Sequence, residues 1–188
     1  MPKINSVKLI INEIKKSQDC GCYLAALITA LTLPDICGKI LYPDLRSHDR
    51  YVKWFNRYIG DYEQSPLCKE DPKWGELPYM DGESCFKLRC ELLHEGSEDI
   101  GKKINVDEFL LLFGKSCRLG SSGVTEEMGY MADGTEFVKN RKRTLEVNVE
   151  RLCNQLIWSA EAFLKKEVSD ESLIPTINLG EIPEIFKR

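Results

Sequence analysis

The sequence predicts a mainly α-helical bundle of four to five helices, with a β-hairpin inserted before the last long helix. Apolar residues recur at the three- and four-residue spacing of amphipathic helices through most of the chain. Between about residues 107 and 148 this pattern gives way to a short apolar run and then to an alternation of apolar and polar residues, which is typical of strands. With 188 residues, of which 43% are hydrophobic and 30% charged, the chain is long enough for one domain with its own core.

Three helices are predicted in the first third of the chain. The first carries Val7, Ile10, Ile11 and Ile14 at helical spacing. The segment from Cys22 to Leu33 is apolar nearly all round, which predicts the central helix of the bundle, and a turn or short new helix follows from Pro34. The third helix begins at Ser47, and a polar loop from Gly60 to Met80 follows it. Its stripe is aromatic and therefore expected in the core: Tyr51, Trp54, Phe55, Tyr58.

The second half of the chain combines strands with a long closing helix. Phe109–Phe113 and the alternating residues from Leu145 to Val149 are predicted to pair as a β-hairpin, with Leu119–Gly123 and Ala132–Gly134 as turns within it. An apolar stripe then predicts the last helix, from about Val149 to Val168. We therefore expect a helical domain at residues 1–168, with the hairpin insertion at about 107–148, and an extended C-terminal arm at 169–188.

The charge balance limits the classes of partner. A net charge of −4 gives no general attraction to nucleic acid, so RNA binding would depend on a local basic patch. One basic block offers such a patch, and the alternative is that it is a solvated loop. Its candidate substrate-binding residues are Lys139, Arg141, Lys142 and Arg143.

The start of the chain and its cysteines bear on location and cofactors. The first residues lack the pattern of a signal peptide, and the run from Cys22 to Leu33 is too short to cross a bilayer, so a cytoplasmic protein is expected. Several of the eight cysteines lie within apolar helical stripes, as reduced thiols do. Because Cys20-Gly21-Cys22 is not a usual zinc-ligand spacing and the chain has only two histidines, no metal or other cofactor is expected.

Arg89 is the residue that the helical pattern does not explain. It lies in a predicted helix that begins near Asp81 and ends at Gly96. On a wheel of about 100° per residue, the apolar side chains of this helix point on average almost directly at Arg89: Cys85, Phe86, Leu88, Cys90, Leu92, Leu93. A buried guanidinium is costly unless a polar or anionic group meets it, which indicates that an anion binds there.

His94 follows Arg89 by five residues and suggests what the anion is. A guanidinium binds phosphate oxygens in a two-pronged way, and a histidine can exchange protons near neutral pH, so together they suit phosphodiester cleavage without a metal. In an α-helix the two side chains would be separated by about 140°, so both reach one ligand only at the edge of a cleft or across a dimer. The alternative is that Arg89 makes a buried salt bridge, with Asp35 or Glu91 as partner, and that His94 simply ends the helix.

The Arg89-x4-His94 pattern at the end of a helix, in a small helical bundle, resembles the HEPN superfamily (higher-eukaryote and prokaryote nucleotide-binding domains). The flanking residues and the helix order strengthen this resemblance, which covers about residues 1–168. Many members are dimeric, metal-independent ribonucleases of toxin–antitoxin, anti-phage and RNA-processing systems. The resemblance implies a HEPN-like bundle in which Arg89 and His94 are the catalytic pair and meet their symmetry mates across a homodimer cleft.

One position departs from the family pattern. Catalytic members usually carry a polar residue directly after the arginine, where this chain has Cys90. The resemblance therefore implies two functions. The first is a cytoplasmic endoribonuclease that cleaves RNA by attack of the 2′-hydroxyl. The second is a non-catalytic dimerisation module that binds a nucleotide, an antitoxin or another protein partner.

Overall fold

The structure is a computed structural model, and it describes residues 3–63, 78–104, 106–114 and 119–178. Its helices are α1 (Ser6–Asp19), α2 (Tyr23–Ala30), α3 (Leu33–Leu41), α4 (Ser47–Phe55), α5 (Gly82–Cys90) and α6 (Val149–Glu167). Its strands are β1 (Lys3–Asn5), β2 (Glu108–Leu112), β3 (Gly120–Tyr130), β4 (Glu136–Asn148) and β5 (Thr176–Asn178). The mainly helical architecture, with a β-hairpin before the last long helix, is therefore confirmed.

Two shorter helical segments extend α4 and α5, and three single helical turns lie in the connections between elements. The two extensions are wide π-type turns. The π turns are Asn56–Gly60 and Glu91–Glu95, and the single turns are Asp61–Glu63, Gly101–Lys103 and Glu171–Leu173. The predicted loop from Gly60 to Met80 thus begins later than expected, after Glu63, and its residues 64–77 lie outside the described residues.

Side-chain caps fix where three of the helices start. Asn5 accepts a hydrogen bond from the backbone N–H of Lys8 at 3.0 Å, at the start of α1. Asp81 does the same for Ser84 at 2.8 Å in α5, and Asn148 caps α6. Each cap satisfies a backbone donor that has no partner within the helix, which stabilises a helix by about 1 kcal/mol.

The apolar segment that was predicted to be the central helix forms α2, and the turn or short new helix predicted from Pro34 is the helix α3, which begins at Leu33. A tight turn at Leu31–Thr32 separates α2 from α3. The segment is apolar nearly all round, but only one face of α2 packs in the bundle, and Leu24 is 51% exposed. By length and composition the stretch Tyr23–Leu41, with a mean hydropathy of 1.6, is sufficient to cross a membrane. Buried core helices meet the same criteria, and 44% of the most apolar 18 residues of this stretch are buried in the fold.

The aromatic stripe of α4 forms the centre of the core, as predicted. Tyr51, Trp54 and Phe55 are fully buried, so they are not free to stack on nucleic-acid bases. Phe163 of α6 packs its ring against Trp54 and Tyr58, with centroids 6.3 and 6.0 Å away. Because aromatic side chains bury the largest apolar areas, these contacts join α6 firmly to α4.

The strands of the insertion pair differently from the prediction. The two predicted runs do lie side by side, since Phe109 of β2 is aligned with Leu145 of β4, but the strands are parallel and do not form a hairpin. The hairpin consists of β3 and β4, which are antiparallel and joined by the turn around Ala132–Gly134. Leu119–Gly123 was expected to be a turn, but Gly120 to Gly123 belong to β3, because hydrogen bonding to β4 outweighs the low strand propensity of glycine and serine.

The described part of the C-terminal arm packs on the start of the chain. β5 pairs antiparallel with β1, where Ile177 is aligned with Ile4. Ile174 is buried, and the N–H of Ser6 donates to the carbonyl of Pro175 at 2.9 Å. The rest of the predicted arm, residues 179–188, lies outside the described residues.

A close approach between α4 and α5 holds the Arg89 helix in place. A Cβ atom at Gly82 would lie 2.6 Å from the backbone oxygen of Val52, and the Gly82 N–H already donates to the Asn56 side chain at 2.6 Å. Gly82→Ala should therefore force the helices apart and lower the free energy of unfolding by about 1–3 kcal/mol. Urea denaturation measures this, and a variant within about 0.5 kcal/mol of wild type would contradict the close packing.

Candidate functional site

Arg89 lies at the end of α5, on the border between the buried face and solvent. Cys85 and Leu88 are fully buried, whereas Arg89 is half-buried. The wheel placed Arg89 at the centre of the apolar stripe, but Leu93 is 41% exposed and Glu91 is buried. The difference arises because the helix widens after Cys90, so 100° per residue no longer applies.

The wide turn changes the angle around the helix axis between the side chains of Arg89 and His94. It spans Glu91–Glu95 and ends where Gly96, with φ of 66°, donates its N–H to the carbonyl of Glu91. In a π turn the backbone hydrogen bonds join residues five apart, so each residue turns the chain by less than it does in an α-helix. The angle around the helix axis between Arg89 and His94 is therefore smaller than the about 140° of an α-helix. His94 is exposed, and within the described residues no hydrogen bond joins it to Arg89.

The guanidinium of Arg89 has no anionic partner within the part of the chain that the structure describes. No carboxylate oxygen of those residues lies within 4.0 Å of it, and its Nε is buried without an acceptor. Its Cζ lies 5.9 Å from the centre of the Phe86 ring, which gives a weak cation–π contact. A buried N–H without an acceptor costs about 1–3 kcal/mol, so Arg89 retains unmet hydrogen-bonding capacity.

The buried phenol of Tyr51 lies close to this guanidinium. Burial raises the pKa of Tyr51 well above its ordinary value, and the neighbouring Cys85 adds to the rise, since the Tyr51 hydroxyl lies 3.3 Å from the Cys85 sulfur. The positive charge of Arg89 acts in the opposite direction and favours the ionised phenol. Tyr51 therefore stays neutral, and it provides Arg89 with a polar neighbour but no counter-charge.

Both predicted carboxylate partners of Arg89 are paired elsewhere, which corrects that alternative. Asp35 accepts from the Nε of Arg50 at 2.8 Å and from the hydroxyl of Ser47 at 2.9 Å. Glu91 forms an ion pair with Lys103. Asp35 and Arg89 do share a neighbour, because both charges influence the pKa of Tyr51.

Sequence reasoning did not identify His48 as a neighbour of this site. The imidazole of His48 packs edge-on against Phe86 at 4.7 Å, and the same Phe86 ring contacts Arg89. His48 is also hydrogen-bonded to Glu83 at 3.1 Å and to Asp49 at 3.2 Å. A signal was present in the sequence, because His48 precedes Tyr51 by three residues and so extends the core-facing stripe of α4.

The charge of His48 should make the stability of the fold depend on pH. Hydrogen bonds to Asp49 and Glu83 raise the pKa of His48 above its ordinary 6.5. Because the pKa of His48 is higher in the folded than in the unfolded state, protonation of His48 stabilises the fold. This stabilisation is complete below pH 6.5 and is lost as the pH rises through the folded-state pKa. Because these side chains are about half exposed, we expect only about 0.5 kcal/mol.

The variant that tests this is His48→Gln. The difference in free energy of unfolding between wild type and His48→Gln should be largest in mild acid and should shrink as the pH rises. Urea titrations from about pH 5 to about pH 9 cover this range. A difference that is constant over the whole range would mean that the charge of His48 does not stabilise the fold.

The basic block lies on β4, and two of its cations are already engaged. Lys139 forms an ion pair with Glu127 at 2.9 Å, and Lys142 pairs with Glu108 at 2.8 Å. The backbone N–H of Arg143 donates to Asp107 at 2.6 Å. Arg141 lies in the same strand, aligned with Glu126. The block is therefore partly neutralised, which weakens the case for it as a contact to the RNA backbone.

Nothing in the described part of the chain groups three histidine, cysteine, aspartate or glutamate side chains in a way that could hold a metal ion. Comparison of the chain with protein-family models, with curated proteins and with solved structures finds no match. The candidate site consequently rests on the chemistry of its own residues. These are the half-buried Arg89, which has no counter-charge among the described residues, the exposed His94 after the wide turn, and the hydrogen-bonded His48 and Glu83 beside Phe86.

Proposed function

We propose that this chain is a metal-independent endoribonuclease of HEPN type that acts in the cytoplasm as a homodimer. The observation that carries the proposal is the guanidinium of Arg89. It is half-buried, and within the described residues it lies near no carboxylate that would neutralise it. A cation held in this way binds an oxyanion more strongly than a fully hydrated one, because its charge is less screened.

The reaction needs one fixed cation and one proton-transfer group. The 2′-hydroxyl of a ribose attacks the adjacent phosphorus, the bond to the 5′-oxygen breaks, and a cyclic phosphate and a 5′-hydroxyl remain. Arg89 stabilises the negative charge that develops on the phosphate oxygens. His94 either accepts the proton of the 2′-hydroxyl or donates a proton to the leaving 5′-oxygen, and water carries the other proton.

A two-fold dimer supplies the second group. If Arg89 of one protomer and His94 of its partner face the same groove, the fixed cation and the proton-transfer group come from different chains and need no common helix face. The exposed Leu93, directly before His94, provides apolar surface for such a contact. Toxin and anti-phage roles belong to this proposal through the family resemblance alone.

The direct test is cleavage of total RNA by the purified chain in an excess of chelator. We expect products that end in a cyclic phosphate and a 5′-hydroxyl, and no change on addition of magnesium. Intact RNA after prolonged incubation, across RNAs of different structure, would contradict the catalytic proposal.

A second function is favoured by two specific observations. Cys90 follows Arg89 where catalytic members of the family carry a polar residue, and the paired Lys139 and Lys142 leave the basic block poorly suited to RNA. In this alternative the domain is a non-catalytic HEPN-like dimerisation module, and Arg89 binds the phosphate of a nucleotide or the carboxylate of a protein partner, such as an antitoxin.

Nucleotide binding separates the two functions. The alternative predicts saturable binding of nucleoside monophosphates that Arg89→Ala abolishes, with no RNA cleavage by the wild-type chain. Arg57→Ala is a matched control, since Arg57 pairs with Glu167 and takes no part in the site. Binding that survives Arg89→Ala would contradict this alternative.

A further inference from the structure

The junction between α1 and α2 holds two exposed cysteines on either side of a glycine. The backbone N–H of Gly21 donates to the carbonyl of Gln18 at 2.9 Å, and that of Cys22 donates to Ser17 at 2.8 Å. These two hydrogen bonds end a helix when the first residue after its C-cap has a left-handed conformation. Gly21 is that residue, with φ of +74°. The turn therefore presents Cys20 and Cys22 to solvent, with both thiols free.

The turn brings these two cysteines close enough for a disulfide bond. When a residue has right-handed or left-handed helical dihedral angles, the Cα atoms of the residues before and after it lie about 5.4 Å apart. Disulfides join Cα atoms about 4.4–6.8 Å apart. The side chain of Cys22 also folds back over its neighbour, because its sulfur lies 3.9 Å from the carbonyl oxygen of Cys20.

The surroundings of Cys22 suit a nucleophilic thiol. Cys22 is the residue directly before α2, and its thiol is exposed, so a soluble disulfide can reach its sulfur. The buried cysteines differ in kind, since burial raises the pKa of Cys37, Cys85 and Cys153 to about 12 each. Such thiols are inert, so chemistry with a soluble reagent is confined to exposed positions.

We infer that Cys20 and Cys22 form a redox-active dithiol that exchanges with small-molecule disulfides. The thiolate of Cys22 attacks one sulfur of oxidised glutathione, which releases one glutathione thiol and leaves a mixed disulfide on Cys22. The thiol of Cys20 then attacks the Cys22 sulfur and releases the second glutathione. The two protein thiols have lost two electrons and two protons, and one glutathione disulfide has been reduced to two thiols. This modification site is independent of the proposed nuclease site.

The test incubates the full chain with oxidised glutathione, then blocks the thiols that remain free, and then measures the intact mass. At Cys20 and Cys22 the wild-type chain should lose the mass of two hydrogen atoms and gain no glutathione. Cys20→Ser should instead retain glutathione on Cys22, because the second thiol is missing. Cys37→Ser, which alters a buried cysteine, is the matched control and should behave as the wild type.

Proteolytic mapping of the oxidised wild-type chain locates the bond without relying on any variant. A fragment that contains Cys20 and Cys22, cut from Cys37 after Tyr23 or Leu24, should carry the mass of an internal disulfide. The inference is overturned if wild type keeps both thiols free, if it retains glutathione on either of them, or if the oxidised mass persists in Cys20→Ser.

Discussion

Alanine at Arg89 or at His94 is expected to reduce RNA cleavage on the order of 10²-fold or more. Arg89→Ala removes the half-buried positive charge that the phosphate oxygens would meet, and His94→Ala removes the proposed proton-transfer group after the wide turn. Initial rates on one defined RNA in excess chelator measure both losses. Because neither variant deletes a fully buried apolar side chain, the fold should remain intact, which circular dichroism can verify.

Mixing the two inactive variants tests whether the site is shared between protomers. If Arg89 of one chain acts with His94 of the other, a mixed dimer of Arg89→Ala and His94→Ala retains one intact pair, and activity should return. The Arg57→Ala control should cleave as wild type does, since Arg57 pairs with Glu167 on the surface. Equal cleavage by wild type and both site variants would exclude Arg89 and His94 as the catalytic pair.

Phe163→Ala should cause the largest loss of stability among these variants, about 3–5 kcal/mol in the free energy of unfolding. Phe163 is 1% exposed, and its ring packs edge-on against the rings of both Trp54 and Tyr58. Its removal leaves a cavity where α6 meets α4, in addition to the lost apolar burial. Urea denaturation followed by tryptophan fluorescence measures the effect.

Phe137→Ala is the matched control for this loss. It deletes the same side chain from β4, where Phe137 is 40% exposed and packs over Gly129 of the opposite strand. We expect a change of less than about 1 kcal/mol. A loss at Phe163 no greater than that at Phe137 would contradict the packing of α6 on the aromatic stripe.

Much of the fold could be predicted because periodicity reports which face is buried. The aromatic stripe of α4 and the apolar stripe of α6 are buried as their spacing indicated. Strand direction could not be read in this way. The alternation in β4 shows that one face is buried, but it does not say whether β2 runs parallel or antiparallel to it. The glycines and serines of Gly120–Gly123 indicated a turn, and only the long-range pairing with β4 makes them a strand.

The candidate site was less predictable for two physical reasons. The wheel assumed a uniform α-helix, and no sequence signal revealed the wide turn that moves Leu93 outward and Glu91 inward. Ion pairs also depend on tertiary contacts. Asp35 meets Arg50, fifteen positions along the chain, in preference to Arg89. The position of Arg89 at the end of a helix, and the stop at Gly96, were nevertheless visible from local pattern.

We propose that the charge of Arg89 is available to an incoming anion, and the Nε–H signal of Arg89 can report this. Nuclear magnetic resonance of the chain labelled with ¹⁵N would follow the Nε–H of Arg89, assigned by its loss in Arg89→Met, during titration with a nucleoside 3′-monophosphate. We predict a saturable shift of that signal, with the Nε–H of Arg50 unchanged because Asp35 already holds it. A signal of Arg89 that does not move at any nucleotide concentration would contradict the claim.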